Sequence, residues 1–320
     1  MAPRATPNAK PTPCNPQKYH LKFLGEFPPD GTTPAVCANK QLYNNPMTRI
    51  AFIGAGAIGS VLGALLRRDG HEVTLIARSE HVHAIRQNGL KVDGALGTFT
   101  VHPAAAETLD FRPDFAFLTV KTQDVQVAVQ SNLSFLRDVP LVTFQNGVRS
   151  DEIVASLIPR DQIISAVVNT SASYLTPGTV TVVYPGSIVV GRPFGDPDEL
   201  LNTVAELLSA VISTKVSINI RGAHWLKLIV NLNNAFPAIT NMTYPQVYQD
   251  PYMSQLAVRV MREGLETVKQ AGIRLEALPD VPLLLTRLMA NLPISLAASL
   301  LRVSARRRES EWPLLGSTRA

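Results

Sequence analysis

Cysteine is nearly absent: Cys14 and Cys37 are the two in 320 residues, and both precede residue 47. No disulfide framework or cysteine-based zinc site can therefore organise the rest of the chain, and a reducing, cytoplasmic setting is the expectation. Aromatic residues make up 6%, and no basic stripe is interleaved with them, so the pattern of a nucleic-acid surface is missing. Much of the net charge of +5 sits in Arg302 and Arg306-Arg307-Arg308, which reads as a solvated helix end. Long uninterrupted apolar runs are missing too. The most apolar stretch, 281–303, contains Arg287, Asn291, Pro293 and Arg302. It reads as two core helices joined at Asn291-Leu292-Pro293, not as a membrane span. His71, His81, His83 and His102 have no cysteine or carboxylate at ligand spacing, so no metal is expected.

What is present describes a globular protein with room for two domains: 46% apolar residues and 17% charged. Residues 1–46 stand apart, holding nine of the 24 prolines and no sustained period. Such a composition does not bury enough to fold alone. It has neither the apolar core of a secretory signal nor the Arg-rich pattern of a transit peptide. The expectation is a disordered extension over 1–46, or a true start at Met47.

The strongest signal is Gly54-Ala55-Gly56-Ala57-Ile58-Gly59, directly after the apolar run Ile50-Ala51-Phe52-Ile53. Strand, glycine turn and amphipathic helix make the phosphate-binding start of a dinucleotide fold. The first glycine permits the turn, the second lets backbone approach a pyrophosphate, and the third lets helix and strand pack closely. Ile58, Val61, Leu62, Leu65 and Leu66 mark one helical face, Gly70 closes the helix, and a second strand runs over 72–77. That strand ends in Ala77-Arg78-Ser79, where an NAD enzyme usually carries a carboxylate for the ribose hydroxyls. Guanidinium binds phosphate oxygens in a fork, so NADPH is favoured over NADH.

Further strands are predicted over 114–120, ending at Lys121, over 139–144, ending in Gln145-Asn146-Gly147, and over 162–168. In an open parallel sheet the ligand lies beyond the carboxyl ends of the strands, so Gly54, Arg78, Lys121 and Asn146 should share one edge. Two strand-like pieces within 178–190, joined by Tyr184-Pro185-Gly186-Ser187, look antiparallel. A helix near 198–213 and a strand near 215–220 complete a Rossmann-type domain over 47–220.

From residue 221 the period becomes helical, giving an α/β protein with an all-helical second domain over 221–320. Lys227, Asn231 and Asn234 are spaced i, i+4, i+7 and should share one face of one helix. Asparagine is a poor helix former, and binding a carbonyl acid would give two of them a reason to be there. His224 is expected to face away from Lys227, in a surface or packing role.

These pieces together resemble the ketopantoate reductase family: the glycine motif, Gly70-His71-Glu72-Val73, Val120-Lys121, Gln145-Asn146-Gly147, Pro177-Gly178, and Trp225-x-Lys227-x-x-x-Asn231. The resemblance runs from about Met47 onward. It implies NADPH-dependent reduction of a 2-keto acid, within pantothenate biosynthesis, by a Rossmann domain followed by a 6-phosphogluconate-dehydrogenase-like helical domain. Lys227 matches the catalytic lysine, and Asn231 and Asn234 match substrate-binding asparagines. Lys121, Asn146 and Ala172 match residues near the cofactor, and Ser317 a serine that contacts substrate. The family's glutamate beyond that serine has no counterpart before Ala320, so the helical domain is expected to be truncated. A related 2-keto or hydroxy acid dehydrogenase and a catalytically impaired NADPH-binding paralogue are the alternatives. A homodimer is compatible with all three.

Overall fold

The structure is a computed structural model that describes residues 47–279, 281 and 283–311. The expectations for residues 1–46 and for Ser317 lie outside the described residues.

Strands and helices alternate first. β1 (Arg49–Ile53), α1 (Ala57–Asp69), β2 (Glu72–Ile76) and α2 (Ser79–Asn88) open the fold. β3 (Leu90–Gly94), β4 (Phe99–Val101), β5 (Ala104–Ala106) and β6 (Phe115–Leu118) follow. Then come α3 (Val125–Ser131), α4 (Leu133–Leu136), β7 (Leu141–Thr143), α5 (Ser150–Ala155) and β8 (Ile163–Val168). β9 (Ser171–Thr176), β10 (Thr179–Tyr184), β11 (Ile188–Gly191), α6 (Glu199–Ser209) and β12 (Thr214–Ser217) complete the strands. The remaining helices are α7 (Ile220–Asn231), α8 (Phe236–Thr240), α9 (Tyr244–Gln249), α10 (Pro251–Gln270), α11 (Leu283–Asn291) and α12 (Ile294–Glu311), the last two on either side of Pro293 as expected.

Eight strands form one sheet in the order β12-β11-β8-β7-β6-β1-β2-β5. All its pairings are parallel except β8 with β11. Ile50, Ala51, Phe52 and Ile53 of β1 are all buried, because the strand lies mid-sheet with both faces covered. Phe52 meets Phe117 of β6 edge-on at 4.9 Å between ring centroids. Fully burying side chains of this size contributes roughly 1.5–3 kcal/mol each. α1 turns its apolar stripe to the sheet and ends at Gly70, whose φ of 109° only glycine adopts without strain.

One expectation is corrected. Tyr184-Pro185-Gly186-Ser187 does not join an antiparallel pair. β10 belongs to a second sheet, ordered β4-β3-β10-β9, and β11 to the first. The hairpin turn is Pro177-Gly178, with Gly178 at φ 76°. Its two arms, 163–176 and 179–191, each bend from the large sheet into the small one. The bends are stitched together where Asn169 N–H donates to Ser187 O (2.8 Å) and Thr170 Oγ1 donates to Pro185 O (2.7 Å).

Candidate functional site

The registers Ile53↔Ile76, Ile53↔Leu118 and Leu118↔Thr143 bring four strand ends level. Gly54, Arg78, Lys121 and Asn146 therefore follow one carboxyl edge, as the sequence predicts. The two loops after β6 and β7 are tied together where Thr122 Oγ1 donates to Asn146 O (3.1 Å). Gln145, buried beneath them, donates from Nε2 to both Leu118 O and Val120 O (2.8 and 3.0 Å).

The glycines of the turn separate into two roles. Gly54 has φ 97°, and a Cβ there would stand 2.4 Å from Val120 Cγ1 and 2.7 Å from its backbone N. A Cβ on Gly59 would stand 2.5 Å from Thr119 Oγ1 and 2.9 Å from Gly54 O. These two glycines are required by close packing. A Cβ on Gly56 would meet nothing within 4 Å, so its face is open. α1 begins at Ala57 with no side-chain cap and no acidic residue in its first turn. Its leading N–H groups, those of Ala57, Ile58 and Gly59, have no carbonyl one turn back, and they carry the positive end of the helix dipole. An open backbone face beside such a terminus fits a pyrophosphate. Arg78, Ser79 and Lys121 are exposed at neighbouring strand ends.

A cavity of about 430 Å³ lies along the same edge. α7 brings Lys227 and Asn231 into its wall, and Asn146 comes from the loop after β7. Lys227 is half-buried, and its Nζ donates to Asn169 Oδ1 at 2.9 Å. Asn234 also lines the cavity, but not on the same helix as expected. α7 ends at Asn231, and residues Leu232–Ala235 tighten into a 3₁₀ turn. The shorter turn keeps the two amides together, with Asn234 Nδ2 donating to Asn231 Oδ1 at 3.2 Å. Ala172 sits in β9, packed against the core of the sheet. Its neighbours Thr170 and Ser171 line the cavity, and it does not.

Asn169, Asn233 and Tyr244 are among the lining residues that the sequence reading does not single out. Asn169 follows β8 at the same carboxyl edge, so the rule that picks out Lys121 and Asn146 would have found it. Asn233 is 2% exposed, and its Oδ1 has no hydrogen-bond partner among the described residues. Tyr244, at the start of α9, has its phenol pushed up by burial. α12 supplies Leu301, Ser304 and Ala305 to the same wall.

His224 is neither a surface residue nor simple packing. It is buried, and its Nε2 lies 2.7 Å from Ser165 Oγ. Ser165 donates to Asp151 Oδ2 (2.7 Å), and Thr143 donates to Asp151 Oδ1 (2.6 Å). Burial holds the imidazole below its ordinary pKa, against the opposing pull of Asp151 and a hydrogen bond to the Gly147 backbone. This cluster ties α7, one turn before Lys227, to the strand ends and to the Asn146-Gly147 loop. Among the described residues, no group of three metal-ligating side chains occurs, and no helix is long and apolar enough to cross a membrane.

The comparisons with known proteins agree with this architecture. The family model described as Ketopantoate reductase PanE/ApbA matches residues 50–194, and that of its C terminal matches 219–311. The 2-dehydropantoate 2-reductase of Pyrococcus horikoshii is 31% identical over 233 residues, spanning 72% of this chain and 77% of the relative. The solved PanE/ApbA family ketopantoate reductase of Ralstonia eutropha superposes with a TM-score of 0.65 at 26% identity, covering 82% of this chain and 99% of that one. The fold is also shared with D-mandelate dehydrogenase, solved with NADH and anilino(oxo)acetate, at a TM-score of 0.67 and 21% identity over 82% of this chain and 92% of that one. The match of the C-terminal model over 219–311 shows that the helical C-terminal domain is present and gives no support to the expectation of a truncated one. With both models matched in order along one chain, this protein belongs to the ketopantoate reductase PanE/ApbA family, whose members are NAD(P)-dependent oxidoreductases.

Proposed function

We propose that the chain reduces 2-dehydropantoate to pantoate with NADPH, a step of pantothenate biosynthesis, with Rossmann and helical domains dividing near residue 220. One observation carries this reading: Lys227, Asn231 and Asn146 line a single cavity at the edge where the glycine turn opens. The nicotinamide, when bound, supplies the hydride. The chain's residues then have distinct tasks. Lys227, held by Asn169 at 2.9 Å, presents an ammonium to the keto oxygen. It stabilises the negative charge that grows there and delivers the proton to that oxygen. Asn231 and Asn234 orient the acid through neutral amides, which adds no charge to the site. Gly54 to Gly59, with Lys121 and Asn146, would hold the cofactor, and Arg78 with Ser79 would take its 2′-phosphate.

Asn233 supports a hydroxylated substrate. A buried acceptor left without a donor is unfavourable by roughly 1–3 kcal/mol, and the hydroxyl of 2-dehydropantoate is a donor of the right kind. The reading includes a homodimer, for which Leu284, Leu296 and Val303 offer exposed apolar surface on α11 and α12.

The test is the near-ultraviolet absorbance of NADPH mixed with the protein and 2-dehydropantoate, with NADH and a panel of other 2-keto acids as controls. The expected result is oxidation of NADPH with 2-dehydropantoate, abolished in Lys227→Ala while NADPH binding persists. Faster turnover of an aryl keto acid would instead favour a related dehydrogenase. Binding of NADPH without turnover of any acid would favour the impaired paralogue.

A further inference from the structure

His81 is 1% exposed, on the first turn of α2, and has no part in the site described above. Both its ring nitrogens are engaged. The Gly178 backbone N–H donates to Nδ1 at 2.9 Å, and Nε2 lies 3.1 Å from Ser60 Oγ. Ser60, itself fully buried on α1, donates its hydroxyl to Ala55 O at 3.2 Å. An amide N–H can only donate, so Nδ1 carries no proton. The neutral ring must then be the Nε2–H tautomer. Nε2–H donates to Ser60 Oγ, and the Ser60 proton goes on to the Ala55 carbonyl. Each polar hydrogen in the chain has one acceptor, and the order admits no reversal.

The two ends of this chain are informative. One is the Pro177-Gly178 hairpin turn, a sequence motif to which the proposed reaction gives no task. The other is the carbonyl of Ala55, in the peptide whose N–H belongs to Gly56. That N–H donates to Gly54 O at 2.7 Å, so the orientation of this one peptide sets the shape of the turn at its open face. We propose that His81 is a positioning residue of the cofactor site: as a neutral Nε2–H tautomer it relays the Pro177-Gly178 turn to Ala55 and holds the glycine turn in the shape that receives a pyrophosphate. The proposal rests on the nicotinamide-dinucleotide reading above.

Protonation breaks the relay. An imidazolium would set a second N–H against that of Gly178. The groups around the ring do little to favour that charge. Tyr174 of β9 meets it edge-on at 4.6 Å between centroids. α1 offers Ser60, and β5, packed against α2, carries only Ala104, Ala105 and Ala106. The nearby charges, Glu80 and Arg78 on its own turn, act on the Tyr174 phenol with opposite signs. Burial keeps the His81 pKa below its ordinary value. The turn is therefore held at neutral pH and released in acid.

The experiment is NADPH binding by nucleotide fluorescence to the full chain, as a pH series from about pH 8 down through the ordinary histidine range to about pH 4.5, because burial lowers the folded value. Wild type is compared with His81→Phe, His81→Gln and Ser60→Ala, with melting temperature and nitrogen NMR of the ring recorded alongside. Ser60→Ala breaks the last link alone, so it reports even if His81→Phe folds poorly. The expected result is an Nε2–H tautomer in the ligand-free protein and affinity roughly tenfold weaker in Ser60→Ala and His81→Phe. Partial recovery is expected in His81→Gln, and a loss of affinity in acid that is present in wild type and absent from His81→Phe. Lower melting temperatures with unchanged affinity and an unchanged pH dependence would make His81 a purely structural residue and overturn the proposal. A wild type that binds neither NADPH nor NADH would instead remove the cofactor reading, and the proposal with it.

Discussion

Replacing Gly56 and Gly59 separately by alanine adds the same methyl group at two places three residues apart, and the structure gives the two variants opposite outcomes. Gly56 has φ −77° and ψ −156°, which alanine adopts without strain. Its added Cβ meets nothing within 4 Å. Reduced freedom of the unfolded chain favours alanine there by roughly 0.4–1 kcal/mol, and the poorer helix cap offsets a similar amount, roughly 0.5–1 kcal/mol. Stability should barely change. The methyl would instead occupy the face where backbone must come within hydrogen-bond distance of a phosphate, so NADPH affinity should fall by about tenfold or more. At Gly59 the Cβ stands 2.5 Å from Thr119 Oγ1 and 2.9 Å from Gly54 O, inside the bond that Thr119 Oγ1 donates to Gly54 O at 2.8 Å. Overpacking of this kind is unfavourable by roughly 1–3 kcal/mol, equivalent to a melting temperature lower by about 2–5 °C in a protein of this size. Thermal melts and NADPH titrations on both variants check the pair. Wild-type affinity in Gly56→Ala would refute the assignment of its open face to the pyrophosphate, and an unchanged melt in Gly59→Ala would refute the close-packing argument.

Arg78→Ala should weaken NADPH by roughly tenfold, as expected for a charge-assisted bond to phosphate, while leaving NADH nearly unaffected; equal losses for both cofactors in binding titrations would remove the 2′-phosphate argument. Asn233→Leu fills the same space without a buried acceptor, so it should keep or raise the melting temperature while raising KM for 2-dehydropantoate more than for a keto acid lacking the hydroxyl. An equal rise for both acids would take Asn233 out of substrate selection. Buried His81 and His224 both have folded-state pKa values held down, chiefly by burial, so between those values and about 6.5 the unfolded chain binds more protons than the folded one. Their contribution to stability is complete above about pH 6.5 and is lost as pH falls through the lowered folded-state values, and urea midpoints should drop between about pH 7.5 and pH 5.5; midpoints that rise on acidification would refute it.

The parts of this fold legible in the sequence are those with local causes. Ile50 to Ile53 read as a strand because every position is apolar, and the glycines at 54, 56 and 59 read as a phosphate turn because each spacing meets a separate steric demand. The place of Lys121 and Asn146 at the carboxyl edge was legible from a rule that depends on strand direction but not on register. The second sheet was not legible. β3 and β9 carry mixed polar residues, such as Lys91, Asp93, Ser171 and Ser173, because one face of a small sheet meets solvent. Tyr184-Pro185-Gly186-Ser187 has the composition of a hairpin turn and serves as a crossing between sheets, because the strand that pairs with 188–191 lies twenty residues upstream.

The buried histidines mark the deeper limit. Nothing beside His224 in the chain announces Asp151 or Ser165, which reach it from α5 and β8. Nothing beside His81 announces Ser60 or Gly178, which are 21 and 97 residues away. A polar residue on a helix face otherwise apolar is ambiguous until its partners are known, since burial without a partner is unfavourable and burial with one can organise a site. The arrangement of Asn234 follows the same logic. Its helical spacing from Lys227 was correct arithmetic on a helix that ends at Asn231, and it reaches the cavity because the 3₁₀ turn turns its amide back onto that of Asn231. Candidate polar residues can be picked out from sequence, but their arrangement depends on where helices stop and which distant strand ends meet, and those are properties of the packed chain.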